Sequence, residues 1–204
     1  MDSRDDEYRT IRAKSEGLYK EKGSKFISLA FPVKDEIEIK AILQELRKSY
    51  YDARHHCYAY RLEPDKKKFR SNDDGEPSGS AGKPILGQLL SFDLTDTLIV
   101  VIRYFGGTKL GVSGLINAYR TAARDAIENT TILTKTEQNI YSIKFDYIKL
   151  NDVMKIIKDE KPEVLFQEFE MDCQMTLSIR ISEGDKFIGK LKKVETLTFV
   201  NKKL

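Results

Sequence analysis

From Asp96 to Phe105 the chain reads DTLIVVIRYF, a continuous apolar and β-branched run, and four glycines follow between Gly106 and Gly114. Far shorter than the roughly 20 residues that span a bilayer, the run has the signature of a buried central strand. The glycines then lead into SGLINAYRTAARDAIENT. There Leu115, Ala118, Tyr119, Ala122, Ala126 and Ile127 fall on or near one face of an amphipathic helix. Strand, glycine loop and helix in that order are the frame around which the rest of the chain has to pack.

The flanking segments fit an α+β chain. GLYKEKGSKFISLAFPV gives two extended runs around Gly23, the pattern of a hairpin. Ile39, Ile42, Leu43, Leu46 and Tyr50 recur at helical spacing behind Asp35, a candidate N-cap. HHCYAYRL alternates as a half-buried strand and leads into a long polar loop, Glu63 to Gly82. KPILGQLLSF predicts a helix with Pro84 in its first turn, where the missing N–H has no intrahelical partner to lose. After a polar seam, TILTKTEQN, the remaining segments read strand, helix, strand, strand, helix, strand. This βαββαβ order is the ferredoxin-like pattern. Two α+β domains are expected, 1–134 and 135–204.

Composition narrows the class. A chain of 204 residues with 40% hydrophobic and 33% charged residues is long enough for a buried core and has the balance of a globular protein. The first residues, MDSRDDEYRTIRAKSEG, lack the apolar core of a secretory signal, and the expected location is the cytoplasm. Cys57 and Cys173 are far apart with no C-x-x-C spacing, which argues for reduced thiols and against a disulfide framework or structural zinc. The net charge of +3 identifies no partner. From Arg54 to Arg124, however, eleven Lys and Arg stand against seven Asp and Glu, in the segment that holds the glycine loop.

Two glycine-rich loops lead directly into predicted helices: SNDDGEPSGSAGKPIL (Ser71 to Leu86) and RYFGGTKLGVSGL (Arg103 to Leu115). Such turns gather backbone N–H groups and the positive end of a helix dipole, which suits an anion. The same glycines also serve tight turns and close packing, and spacing alone leaves both readings open. Neither loop is a nucleotide fingerprint. Around Gly82 and Lys83, Pro77 takes the place of the leading P-loop glycine and Pro84 that of the Mg²⁺-binding hydroxyl. Glycines 106, 107, 111 and 114 lack the G-x-G-x-x-G spacing of a dinucleotide fold. Asp73, Asp74 and Glu76 read as a turn that lacks the further ligands of a calcium loop. On a strand, His55 and Cys57 face one way and His56 the other, so no three of these side chains converge on a metal. No metal and no cofactor is expected.

DDGEPSGSAGKPIL together with RYFGGTKLGVSGLINAY resembles the signature of the YigZ/IMPACT family, and KGSKFISLAFPV and ARHHCYAYR look like the same domain. The resemblance covers nearly the whole chain. It implies a first domain with the fold of the second domain of ribosomal protein S-five and a second domain similar to domain five of elongation factor G. Both folds occur in proteins that touch ribosomal RNA, an analogy of fold and not of site. Eukaryotic relatives regulate translation initiation under amino-acid stress through an additional N-terminal domain. This chain is expected to lack that domain, so the kinase-regulatory role is not carried over, while a broader role in translation or stress response remains open. Ser80 stands where the pattern commonly has threonine, Ser113 where it has glycine and Asn117 where it has arginine.

The expectation is a non-catalytic binding or regulatory protein of translation, meeting RNA, the ribosome or a translation-associated protein, with no membrane association and no DNA specificity. The predicted anion site comprises Arg103, Lys109 and Ser113, with Ser80 and Lys83 from the first loop and Arg54 and Arg120 at the margin. Gly106, Gly107, Gly111 and Gly114 make room, and Tyr104 is a stacking surface. Two alternatives remain open. One is an enzyme on a phosphorylated or peptide-like small molecule, with Asp73, Asp74 and Glu76 holding Mg²⁺ beside Lys83. The other is a protein-interaction module without RNA.

Overall fold

The structure, a computed structural model, describes residues 6–200. It divides the chain into two compact α+β units, one of Tyr8–Lys135 and one of Thr136 onward together with Asp6 and Glu7.

The first unit is built on a five-stranded antiparallel sheet in the order β2-β3-β6-β4-β5: β2 (Ser15–Glu21), β3 (Ser24–Pro32), β4 (His55–Leu62), β5 (Lys68–Asn72) and β6 (Thr97–Tyr104). Helix α1 (Glu36–Ser49) covers one face, and α2 (Gly82–Ser91) and α3 (Gly111–Glu128) cover the other. Central β6 explains its own sequence. Leu98, Val100 and Ile102 join the cluster with α1, while Ile99 and Val101 join that with α2 and α3. Two covered faces require an unbroken apolar run, because alternate side chains enter opposite cores. Asp35 caps α1 as its position suggests, its carboxylate accepting from the N–H groups of Ile37 and Glu38. The predicted hairpin turns at Lys22 and Gly23, both at positive φ, the backbone of a two-residue turn matched to strand twist.

Two segments read as loop contain strands. β5 lies inside the polar stretch 63–82, pairing with β4 from Tyr58↔Asn72 to Leu62↔Lys68. As a sheet edge with exposed Lys68, Phe69 and Arg70, it carries no apolar alternation to betray it. The polar seam holds β7 (Ile132–Thr136), which pairs with β1 (Glu7–Ile11) in a separate two-stranded sheet. That pairing joins segments more than a hundred residues apart, and local pattern does not show it.

The second unit runs β8 (Gln138–Asp146), α4 (Leu150–Glu160), β9 (Glu163–Glu168), β10 (Asp172–Arg180), α5 (Ile181–Leu191) and β11 (Thr198–Val200). Its sheet is antiparallel, in the order β11-β8-β10-β9. Ile143 and Phe145, then Met175, Leu177 and Ile179, pack against Val153 and Ile157 of α4 and Phe187 and Leu191 of α5. Helix α5 begins four residues earlier than DKFIGKLKKV suggests. The cap comes from far away in sequence: the Asp6 carboxylate accepts from the Arg180 guanidinium and from the Ser182 N–H, and these bonds, Arg180's above all, hold it well below the usual carboxylate pKa against the opposing effect of burial. Cys57 and Cys173 are both buried free thiols. No helix among the described residues is long and apolar enough to cross a membrane.

Candidate functional site

The two glycine-rich loops meet in space. They flank a cleft of about 530 Å³ lined by Arg54 and His55 before and at the start of β4, Gly75 to Pro77 of the first loop, Arg103 and Phe105 at the end of β6, and Lys109 to Val112 with Leu115 at the start of α3. Its construction follows from strand parity. Arg103 shares the sheet face of Ile99 and Val101, so its side chain enters the core side occupied by α2 and α3. His55 is its register partner on β4 and lies on the same face.

An arginine delivered into a core needs a carboxylate, and Glu76 supplies it. The Arg103 Nη1 lies 2.6 Å from Glu76 Oε1, with both side chains buried. The Tyr119 hydroxyl donates to the same oxygen at 2.8 Å, and the Cys57 thiol lies 3.3 Å from the Tyr119 oxygen and 3.0 Å from the Asp73 carbonyl. The guanidinium also lies over the Phe26 and Phe105 rings, 5.4 and 5.7 Å from their centroids. Its Nε is buried with no hydrogen-bond partner among the described residues. Burial pushes the Cys57 thiol and the Tyr119 hydroxyl far up, so both keep their protons at neutral pH. Cys57 therefore lacks the thiolate that nucleophilic chemistry needs.

The acidic run DDGE is occupied by structural bonds. One Asp73 carboxylate oxygen accepts from the N–H groups of Ala81 and Gly82, and the other from Gly79. Burial alone would raise the Asp73 pKa, but these bonds and Lys83 outweigh it and the net shift is downward. Asp74 accepts from the His56 N–H and from Arg47. Among the described residues, no group of three or more His, Cys, Asp or Glu side chains is arranged to hold a metal.

Helices α2 and α3 thus differ at their N-termini. The first turn of α2 already faces the Asp73 carboxylate, whereas α3 has no side-chain cap and its first residues, Gly111 to Ser113, are exposed. Open N–H groups at a helix start carry the positive end of the dipole. Arg54 and Lys109 are the exposed cations beside them on the cleft wall.

Of the residues expected to form the site, Arg54, Arg103, Lys109 and Gly111 line this cleft. The others sit elsewhere or serve the fold. Arg103 is buried and ion-paired, where an exposed phosphate contact was expected. Ser80 is fully buried and donates to the Pro77 carbonyl. Tyr104 has the opposite parity to Arg103, packs with the α1 cluster and donates to Asp52. Arg120 lines a separate depression on the outer side of α3 with Asn117 and Arg124. Lys83, Ser113 and Gly107 are exposed outside the cleft lining, and Gly114 packs on Leu110. Gly106 lies against the β2–β3 turn so closely that a β-carbon there would stand 1.8 Å from the Gly23 carbonyl carbon. Sequence reasoning missed the role of Glu76. The signal was available in the parity of β6, which sends Arg103 inward and so demands a buried anion.

One consequence is a pH effect. His56 is buried on the α1 face with Nε2 unpartnered among the described residues. Burial, then the Arg47 charge, lowers its pKa below 6.5, against the opposing pull of Asp74. The unfolded chain therefore takes up this proton first as pH falls. The stability associated with neutral His56 is complete above about pH 6.5 and declines below it, by no more than about 1.4 kcal/mol per pH unit. Urea unfolding at pH 7.5, 6.5 and 5.5 should show the decline, and His56→Gln should flatten it.

A two-unit α+β chain with paired glycine loops around a cationic cleft defines a recognisable class. The Impact N-terminal domain model matches residues 22–127. The chain is 29% identical over 172 residues to the IMPACT family member YigZ of Escherichia coli (strain K12), covering 83% of this chain and 84% of that one. It is 33% identical over 154 residues to the IMPACT family member YvyE of Bacillus subtilis (strain 168), covering 76% and 71%. It also superposes on a solved crystal structure of a hypothetical protein with a TM-score of 0.71, at 26% identity over 97% of this chain and 98% of that one. The chain belongs to the IMPACT family.

Proposed function

We propose that this protein is a non-catalytic, translation-associated regulatory protein that holds the phosphate of an RNA in the cleft at the start of α3. The carrying observation is the contrast between the two loops: α2 has its N-terminal N–H groups occupied by Asp73, while α3 leaves its own open beside Arg54 and Lys109. In this reading the exposed Arg54 and Lys109 supply the positive potential, Arg103 is held by Glu76 as part of the floor instead of touching phosphate, and Phe105, exposed at the rim, offers a base a stacking surface. Ser113 and Lys83 extend the contact beyond the cleft. The family relationship supports the translation context; the same reading takes the first unit as a member of the ribosomal protein S-five domain-two class and the second as ferredoxin-like, akin to domain five of elongation factor G. The cytoplasm is the corresponding location.

Ribosome co-sedimentation tests this. The wild-type chain should pellet with ribosomes at low salt and be released steeply as salt rises, because each phosphate contact releases counterions. Arg54→Glu with Lys109→Glu changes only exposed side chains and should reduce the pelleted fraction at least tenfold while leaving Tm unchanged. Equal pelleting of the variant overturns the site, and no pelleting of either overturns the ribosomal reading.

A further inference from the structure

We propose that the outer edge of β9 in the second unit is a docking strand for an extended, lysine- or arginine-bearing polypeptide segment. β9 ends its sheet, paired with β10 on one side only, and every residue from Glu163 to Glu168 is exposed. An edge strand presents unpaired N–H and C=O groups, and proteins ordinarily blunt such edges with charged side chains, lysine above all, with proline, with bulges or with a covering element; β9 has glutamates and one bulge but no cover among the described residues. Between Glu163 and Asp172 the sequence EVLFQEFEMD has neither lysine nor proline. A bulge leaves Leu165 without a partner on β10.

Large apolar side chains accompany the open edge. Val164, Leu165, Phe166 and Phe169 are exposed, and Met171 in the following turn is 91% exposed. The turn is tied to the end of β8 by a bond from the Tyr147 N–H to the Met171 carbonyl, which brings exposed Ile148 to the same tip. An apolar strip of this kind, continuous with unpaired backbone, has the composition of a strand-addition interface.

Charge selects the occupant. Glu163, Glu168 and Glu170 take part in no ion pair among the described residues, and the fourth acid, Asp172, is paired with Lys144. An acidic rim repels nucleic acid phosphate and anionic lipid. It also disfavours a second copy: two β9 strands aligned antiparallel about their centre would set Glu163 of each opposite Glu168 of the other, and like charges directly opposite destabilise a ladder. A segment alternating apolar and basic residues satisfies both the strip and the rim.

The test is amide hydrogen exchange on the full chain, with a nine-residue peptide alternating lysine and valine as probe and one alternating glutamate and valine as control. The lysine peptide should slow exchange of the β9 amides at least tenfold without slowing those of β11, at the other edge, and the glutamate peptide should not. The triple variant Glu163→Lys, Glu168→Lys, Glu170→Lys, confined to exposed positions, should lose that protection. Phe166→Ser should weaken it; should Phe166→Ser fail to fold, the triple variant decides alone. Unchanged β9 exchange, equal protection by both peptides, or full protection in the triple variant overturns the proposal. So does a concentration-dependent dimer that protects β9 without peptide, which would make a second copy the occupant.

Discussion

Gly106→Ala is expected to destabilise the first unit by about 4 kcal/mol or more, a large share of the roughly 5–15 kcal/mol that holds a domain folded. The added β-carbon would lie 1.8 Å from the Gly23 carbonyl carbon and 2.1 Å from the Ser24 nitrogen. Both are backbone atoms of the β2–β3 turn, so no side-chain rotation relieves the overlap. Gly107→Ala is the matched control one residue away. A β-carbon at Gly107 meets nothing within 4 Å, but the residue sits at φ +86°, so only the left-handed backbone penalty of about 1–2 kcal/mol applies. Thermal unfolding of the two variants separates steric contact from backbone conformation. Equal losses would show that Gly106 is held for its flexibility and not for the approach of the hairpin.

Glu76→Leu is expected to cost about 3–5 kcal/mol, because it leaves the Arg103 guanidinium buried without its counter-charge and the Tyr119 hydroxyl without its acceptor. Glu76→Leu combined with Arg103→Met should recover most of the loss, since replacing both members of a buried pair by apolar groups removes the stranded charge. A denaturant-melt double-mutant cycle therefore should give a large favourable coupling. A near-additive result would mean that the pair does not share its burial cost, and Arg103 would have to be satisfied in some other way.

These two variants also mark where the sequence was informative. The apolar run of β6, the Asp35 cap, the face of α3 and the strand–helix order of the second unit follow from periodicity and capping, which act within a few residues. Gly106 was legible as a glycine that makes room, but not as room for the β2–β3 turn, because that neighbour lies some eighty positions away. Arg103 stands beside the glycine loop, and that position alone suggests a phosphate contact. Its burial follows from counting alternate residues back through Val101 and Ile99, a period that continues to the strand's last turn. Ser80 lies in the first loop and Arg120 on the helix after the second, and only the path of the chain separates them from the cleft. β5 and β1–β7 remained hidden because their pairing supplies the order that their own side chains do not.

Buried polar pairs are usually described by what they stabilise, but the Arg103–Glu76 pair has a second consequence, for strand alignment. Were β6 to slip by one residue against β3 and β4, Arg103 would exchange faces with its neighbours and enter the cluster of Leu98, Val100 and Ile102 beneath α1. Glu76 lies on the far side of the sheet and could not follow. An apolar run such as LIVVI tolerates misalignment cheaply, since one branched side chain replaces another at almost every position. The single charge at its end converts that tolerance into an error of several kcal/mol, and so proofreads the register of the strand that carries the loop.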